Sequence, residues 1–293
     1  MTAADAKGIR WGLERRLEFI EYRLFWEGGI NRSDIVDEFG VSVPQASKDL
    51  ALYQAQAPEN IEYDRSQKRY FASTSFHPKF IQLDAAAYLQ RLALSSRSSQ
   101  VSGRDFGVSA LSADTLPIPQ RRIKADVLRS LLACVRESSS VEILYQSMSN
   151  IRPEPTWRRI SPHAFGNDGL RWHVRAYCHI DEKFKDFILS RCLDTRAIGQ
   201  SGGNASNDTI WNNYFSVLLS PNPRLTSSQR QIIAEDYGMT SGGVTISVRR
   251  AMLYYFSRRL RLDVAARFDD PREAPVIVQN LQEFDTALAE AVR

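Results

Sequence analysis

At 293 residues, with 43% apolar and 25% charged side chains, the chain is too long for one ordinary core, and two or three globular domains are expected. The net charge of +4 is unevenly spread: residues 1–80 carry 11 basic and 12 acidic side chains, residues 81–200 carry 17 and 12, and residues 201–293 carry 10 of each. No apolar stretch approaches the roughly 20 residues that span a bilayer, and the start MTAADAKGIRWGLERR has no apolar leader, so a cytoplasmic protein with no membrane partner is expected. Cys134, Cys178 and Cys192 stand far apart, with no CxxC pair and no zinc-ligand spacing, which reads as buried free thiols and neither metal nor cofactor.

Leu13, Leu17, Ile20 and Leu24 recur at helical spacing and predict a first helix ending at Gly28-Gly29. Asn31 caps a second, with Asp34 in its first turn, Ile35, Val36 and Phe39 inward, and Gly40 as its stop. Ser42 opens a third with the capping-box form Ser42-x-x-Gln45, Pro44 sits harmlessly in the first turn, and Val43, Ala46, Leu50 and Tyr53 form the inward stripe. Ile61–Tyr63 and Arg69–Phe71 pair around Asp64–Gln67 as a hairpin.

Three helices and a hairpin in this order predict a winged helix-turn-helix over residues 1–80. Its third helix offers Ser42, Gln45, Ser47 and Lys48 to a major groove; Gln45 suits adenine and Lys48 suits phosphate or guanine. Arg65, Lys68 and Arg69 on the wing, and Arg32 and Ser33 at the start of the second helix, suit the DNA backbone. Other readings stay open: Gln45 as part of the cap alone, the wing cations as a solvated turn, and the whole domain as a protein-contact module.

Residues 81–95 read as a helix, and Ser95–Gln120 has the Ser/Gly composition of a linker, so residues 81–120 are taken as a helical linker. Ile123–Arg136 is helical and Val141–Ser147 a strand. In Arg171–Tyr177, alternation sets Trp172, Val174 and Ala176 on one face and His173, Arg175 and Tyr177 on the other; Phe187, Leu189 and Arg191 likewise share a face. Trp172 reads as a core residue. GQSGGNASN, from Gly199 on, reads as a second flexible joint. The remainder shows a helix from Thr226 to Gly238, a strand Val244–Val248, a helix Met252–Leu262, a short strand Val276–Val278 and a closing helix Leu281–Val292.

Ile160–Cys192, with its "SPHAF" entry, its Trp172-His173-Val174 run and its "FILSRC" exit, resembles the WYL domain. That likeness implies an Sm-like β-barrel over residues 121–200 whose pocket draws on Tyr145, Ser161, His163, His173, Arg175 and Arg191. Rings and basic forks together suit an anionic nucleotide or oligonucleotide. Two positions depart from the pattern: His173 replaces the usual Tyr, and Ser190 stands where Asp is typical. The tail, 201–293, is similar to the α+β extension of many WYL regulators.

From WGLERRLEFIEYRLFWEGGINRSDIVDEFGVSVPQASKDL onward, nearly the whole chain resembles the BrxR/CapW-type regulators of phage-defence operons. The resemblance implies a multidomain α+β homodimer that binds double-stranded operator DNA with inverted repeats, represses transcription, and changes its DNA affinity when an effector fills the WYL pocket. An accessory protein that binds nucleic acid and modulates a partner is the other reading. Ser161, His163 and Asp168 crowd into one short segment with no G-x-S-x-G elbow, so no enzyme is expected.

Overall fold

Helix α1 (Ala3–Trp26) is followed by α2 (Arg32–Phe39) and α3 (Val43–Gln56), then the antiparallel hairpin β1 (Ile61–Asp64) and β2 (Arg69–Ala72), and α4 (Ala85–Arg97). The computed structural model describes residues 3–97, 113–240, 242–263 and 270–292; most of the expected linker Ser95–Gln120 lies outside them. The chain divides into two units, Met1–Pro117 and Ile118–Arg293.

In the first unit, Asn31 and Asp34 form a reciprocal capping box, and Gly40 ends α2 with φ 65°. Gly29 is required by closeness: a Cβ there would sit 2.5 Å from the Tyr70 carbonyl oxygen, where Ile30 bridges to β2. Leu17, Ile20, Leu24, Ile35, Ala46, Leu50 and Tyr53 fill the core. Val43, expected in that stripe, is 56% exposed, because the first turn of α3 projects past the core, and Asp49 is buried instead. The Ser42 cap is one-sided: its hydroxyl accepts the Gln45 N–H, but the Gln45 amide turns to Asp49 at 2.9 Å.

Glu21 organises this unit. Its buried carboxylate accepts the backbone N–H groups of Lys79 (3.0 Å), Phe80 (2.5 Å) and Ile81 (2.8 Å) and the Tyr53 hydroxyl (2.9 Å), tying α1, α3 and the segment before α4 together. Glu21→Ala strands several buried donors at about 1–3 kcal/mol each. Denaturant unfolding of the variant is expected to show a loss of about 3 kcal/mol or more; a loss under about 1 kcal/mol would show that water replaces the carboxylate.

The second unit opens with α5 (Ala125–Glu137). Its Val127, Leu131 and Cys134 pack on a five-stranded antiparallel sheet: β3 (Ser139–Tyr145), β4 (Thr156–Asn167), β5 (Trp172–Cys178), β6 (Lys183–Ile188) and β7 (Cys192–Gln200). The order is β6-β5-β4-β3-β7, and no pairing joins the edge strands β6 and β7 among the described residues, so the expected barrel closure is not seen. Val174 and Ala176 face α5 as expected. Trp172 does not: it begins β5 beyond the end of the core and is 50% exposed. Leu189–Arg191 is a 3-10 turn rather than strand, so Arg191 does not follow the alternation that grouped it with Phe187.

The expected joint after Gly199 is packed. A Cβ on Gly202 would sit 2.3 Å from the His179 ring, and one on Gly203 2.7 Å from Tyr177, so these glycines permit close approach. The chain continues through α6 (Thr209–Asn212), β8 (Tyr214–Pro221), α7 (Ser227–Asp236), β9 (Val244–Arg249), α8 (Leu253–Arg259), β10 (Val276–Val278) and α9 (Leu281–Val292). β8, which the sequence reading passed over, is the centre of the sheet β10-β8-β9. Leu253 of α8 and Phe284 and Ala287 of α9 join Val217, Leu219, Val248 and Val278 in its core. Cys134, Cys178 and Cys192 are free and buried.

Candidate functional site

Two surfaces bear on function, one in each unit. In the first, Ser42 starts α3 and leaves Val43 and Lys48 exposed. The Ser47 hydroxyl folds back to the Val43 carbonyl at 3.0 Å, and Gln45 is held by Asp49, which Arg16 anchors at 2.7 Å. The side chain of Gln45 is therefore fixed from behind by an ion pair that reaches back to α1. Arg32 and Ser33 are exposed at the start of α2, with the Ser33 hydroxyl donating to Asn31 at 2.6 Å. Arg65 and Lys68 are exposed on the wing, where Lys68 takes φ 51° in a turn closed by the Asp64 carboxylate. Arg69 is different: its Nη2 donates to the Gly29 carbonyl at 2.8 Å, so it braces the wing. Val43 was missed because an apolar residue at helical spacing reads as core; exposed on this turn, it suits a thymine methyl.

In the second unit the six residues of the expected pocket fall into three places. His173 and Arg175 lie on the polar face of β5, and the C-terminal part of the chain covers that face. Arg175 donates to Asp208 twice, at 2.7 and 3.0 Å, and to Asp186 at 3.3 Å. His163 lies 2.9 Å from the same Asp208 carboxylate. His173 lies 3.2 Å from Asp168 and 3.4 Å from the Tyr255 hydroxyl. The second place is a cleft of about 610 Å³ lined by Ser161, His163, Ser138, Gly202 and Asn204. There the Ser161 hydroxyl is 2.9 Å from His179 Nε2 and accepts the Gly202 N–H at 2.9 Å. Among the described residues no carboxylate orients His179, and the nearby Asp208 belongs to His163, so the pair lacks the third member of a hydrolytic triad.

The third place is the far end of the sheet. Tyr145 is buried edge-on to Phe187, its hydroxyl accepting the Ile188 N–H at 3.2 Å and a hydrogen bond from Arg191. Arg158, Asp181, Asp208 and Tyr255 were not singled out from the sequence. Asp186 was within reach: once the β5–β6 hairpin register is set, it lies opposite Arg175.

Burial holds the His173 imidazole below its usual value, against the raising influence of Asp168 and Asp186. Burial would raise Asp168, but the Leu170 N–H, Arg171 and His173 outweigh it and hold the carboxyl at about 2. Asp208 is likewise held far below the carboxylate range, the hydrogen bonds of His163 and Arg175 overriding burial. All three are depressed, so each contributes stability that is complete above the unfolded value and lost as pH falls through the folded one. Burial and the neighbouring Arg159 also hold the His179 imidazole below its usual value, so calorimetry should show a thermal midpoint flat above about pH 7, a first decline below about 6.5 from His173 and His179, and a steeper one below about 4 from the carboxylates. His173→Asn should shrink the first decline, leaving the share of His179; an unchanged profile would mean that His173 keeps an ordinary proton affinity.

A winged helix followed by an α5-backed sheet and a second α+β sheet defines a modular DNA-binding regulator. Residues 12–94 match the family model of the BrxR transcriptional regulator winged helix-turn-helix domain, 126–197 the WYL domain, and 214–284 the BrxR transcriptional regulator C-terminal dimerization domain. The chain is 40% identical over 285 residues to the DNA-binding transcriptional repressor CapW of Stenotrophomonas maltophilia, covering 97% of this chain and 94% of the relative. It is 39% identical over 278 residues to CapW of Pseudomonas aeruginosa (95% and 91%) and 37% identical over 278 residues to CapW of Escherichia coli strain KTE188 (95% and 92%). The chain belongs to the BrxR/CapW family of transcriptional regulators. Proteasome accessory factor B/C (PafBC) of Arthrobacter aurescens aligns at a TM-score of 0.29 with 16% identity over 94% of this chain; the alignment spans 45% of that longer structure.

Proposed function

We propose that this chain is a homodimeric, sequence-specific DNA-binding transcriptional repressor acting in the cytoplasm, and that the operon it controls serves antiviral defence. The observation that carries the reading is the exposed N-terminal half of α3, with Val43 and Lys48 outward and Gln45 fixed from behind, in a unit of winged-helix form. The near full-length identity to the CapW repressors supports it. A symmetric dimer presents two such helices, so the operator is an inverted repeat. Arg32, Arg65 and Lys68 hold phosphates, with Ser33 beside them at the start of α2, while Ser42, Gln45, Ser47 and Lys48 face the groove. An anionic, base-bearing effector in the second unit releases the operator by binding the released state more tightly. The chemistry at these surfaces is recognition, with no catalytic step.

A mobility-shift assay on the gene's own upstream region tests this. Gln45→Ala and Lys48→Ala should each weaken specific binding by about 5- to 150-fold, the worth of roughly 1–3 kcal/mol per base contact. Arg65→Ala and Lys68→Ala should weaken binding to all sequences alike and lower the salt slope by about one unit per contact. A protein that binds no upstream fragment better than random DNA would overturn the reading. Light scattering at micromolar concentration should give a dimer; a monomer would remove the symmetry on which the inverted repeat rests.

A further inference from the structure

The turn that closes β5 and β6 gathers three cations on one carboxylate. Asp181 accepts Arg152 at 3.1 and 3.2 Å and Lys185 at 2.8 Å, and Arg158 stands 3.9 Å away. Three cations share this one carboxylate, and among the described residues none of the three has a second acid within ion-pair distance. On the opposite, expected ligand face the cations have acids of their own: Arg171 pairs with Asp168, and Arg175 with Asp186 and Asp208. An anion therefore gains more at the Asp181 end.

Arg158 sharpens the case. It is only 4% exposed, with its guanidinium 5.5 Å from the Tyr145 ring centre and 5.9 Å from that of Phe187. Its Nε is buried with no acceptor among the described residues, and Nη2 reaches Thr156 only at 3.4 Å. A buried guanidinium this poorly satisfied is costly unless an anion completes it. Arg152 and Lys185, with side chains about one-third exposed (34% and 36%), flank the approach. Arg191, bound to the Tyr145 hydroxyl, adds charge on the same side.

We propose that Arg152, Arg158 and Lys185 form the anion subsite of the central domain and take a phosphate group. This rests on the anionic-effector reading above but moves the anion away from Arg175. Planar guanidinium forks and an ammonium match phosphate oxygens, and the Tyr145 and Phe187 rings leave Arg158 few other acceptors. The phosphate is free in solution or carried by a nucleotide.

Isothermal titration calorimetry on the full chain separates these sources, using inorganic phosphate, a 5′-phosphorylated dithymidine dinucleotide and its unphosphorylated form. The phosphorylated dinucleotide should bind at least tenfold more tightly than the unphosphorylated one; inorganic phosphate binding equally well would make free phosphate the ligand of the same subsite. The double variant Arg152→Gln/Lys185→Gln, at partly exposed positions, should fold and lose at least tenfold in affinity, whereas Arg196→Gln, on β7, should not. Arg158→Lys, which keeps the charge and loses the fork, should also weaken binding. Equal binding by wild type and double variant would overturn the subsite and leave the effector reading standing. Failure of every phosphate probe to bind wild type at millimolar concentration would overturn both, with operator binding still decided by the mobility shift.

Discussion

The second unit depends on one buried carboxylate. Asp208 is 1% exposed, yet it accepts two hydrogen bonds from Arg175, lies against His163, and accepts the Trp211 N–H that starts α6. A charge so placed is tolerable only because every oxygen is satisfied and its partner carries the opposite charge. The same group thus closes the polar face of the sheet and begins the C-terminal part of the chain. Asp186 extends the network from Arg175 to the Tyr255 hydroxyl, and Tyr255 meets His173. The sheet and the C-terminal elements are held by directional bonds as well as apolar packing, which fixes their register more strictly than a greasy face would.

The first unit uses the same device at smaller scale. Glu21 gathers donors from three segments, and the Arg16–Asp49 pair holds Gln45. Its charge is close to neutral: residues 1–80 hold 11 basic and 12 acidic side chains. A domain this close to neutral offers DNA little general attraction, so on the proposed reading the few exposed cations of the wing position the duplex and discrimination is left to α3. Arg69 shows that a cation on a wing can also serve the turn beneath it.

Much of the fold was legible because local chemistry decides it. Asn31 with Asp34, Gly40, Thr226 with Gln229, and the helical spacing of Leu17, Ile20 and Leu24 each name an element boundary or face without tertiary help. β8 was not legible: Phe215, Val217 and Leu219 alternate into the core, but the apolar Tyr214 and Leu218 on the other face blur the period. The packed glycines after Gly199 were misread because composition does not distinguish a glycine needed for freedom from one needed for proximity.

The polar face of β5 shows where such reading runs out. Alternation established that His173 and Arg175 leave the α5 side, but it says nothing about what they meet. Water, a ligand and the chain's own acids are equally consistent with a polar face. The discriminating step is to place the acids. Asp186 lies opposite Arg175 by hairpin register alone, so one neutralising partner could be assigned before any tertiary contact. Asp208 lies 33 residues away from Arg175, and only packing brings it there. Arg158 is the converse: on the core-facing side of β4 beside Tyr145, it reads as a misplaced charge until its under-satisfied guanidinium is set against the surplus cations at Asp181. A basic residue points to a ligand where its charge remains after the chain's own acids are counted, and in this domain that remainder lies at the β5–β6 turn.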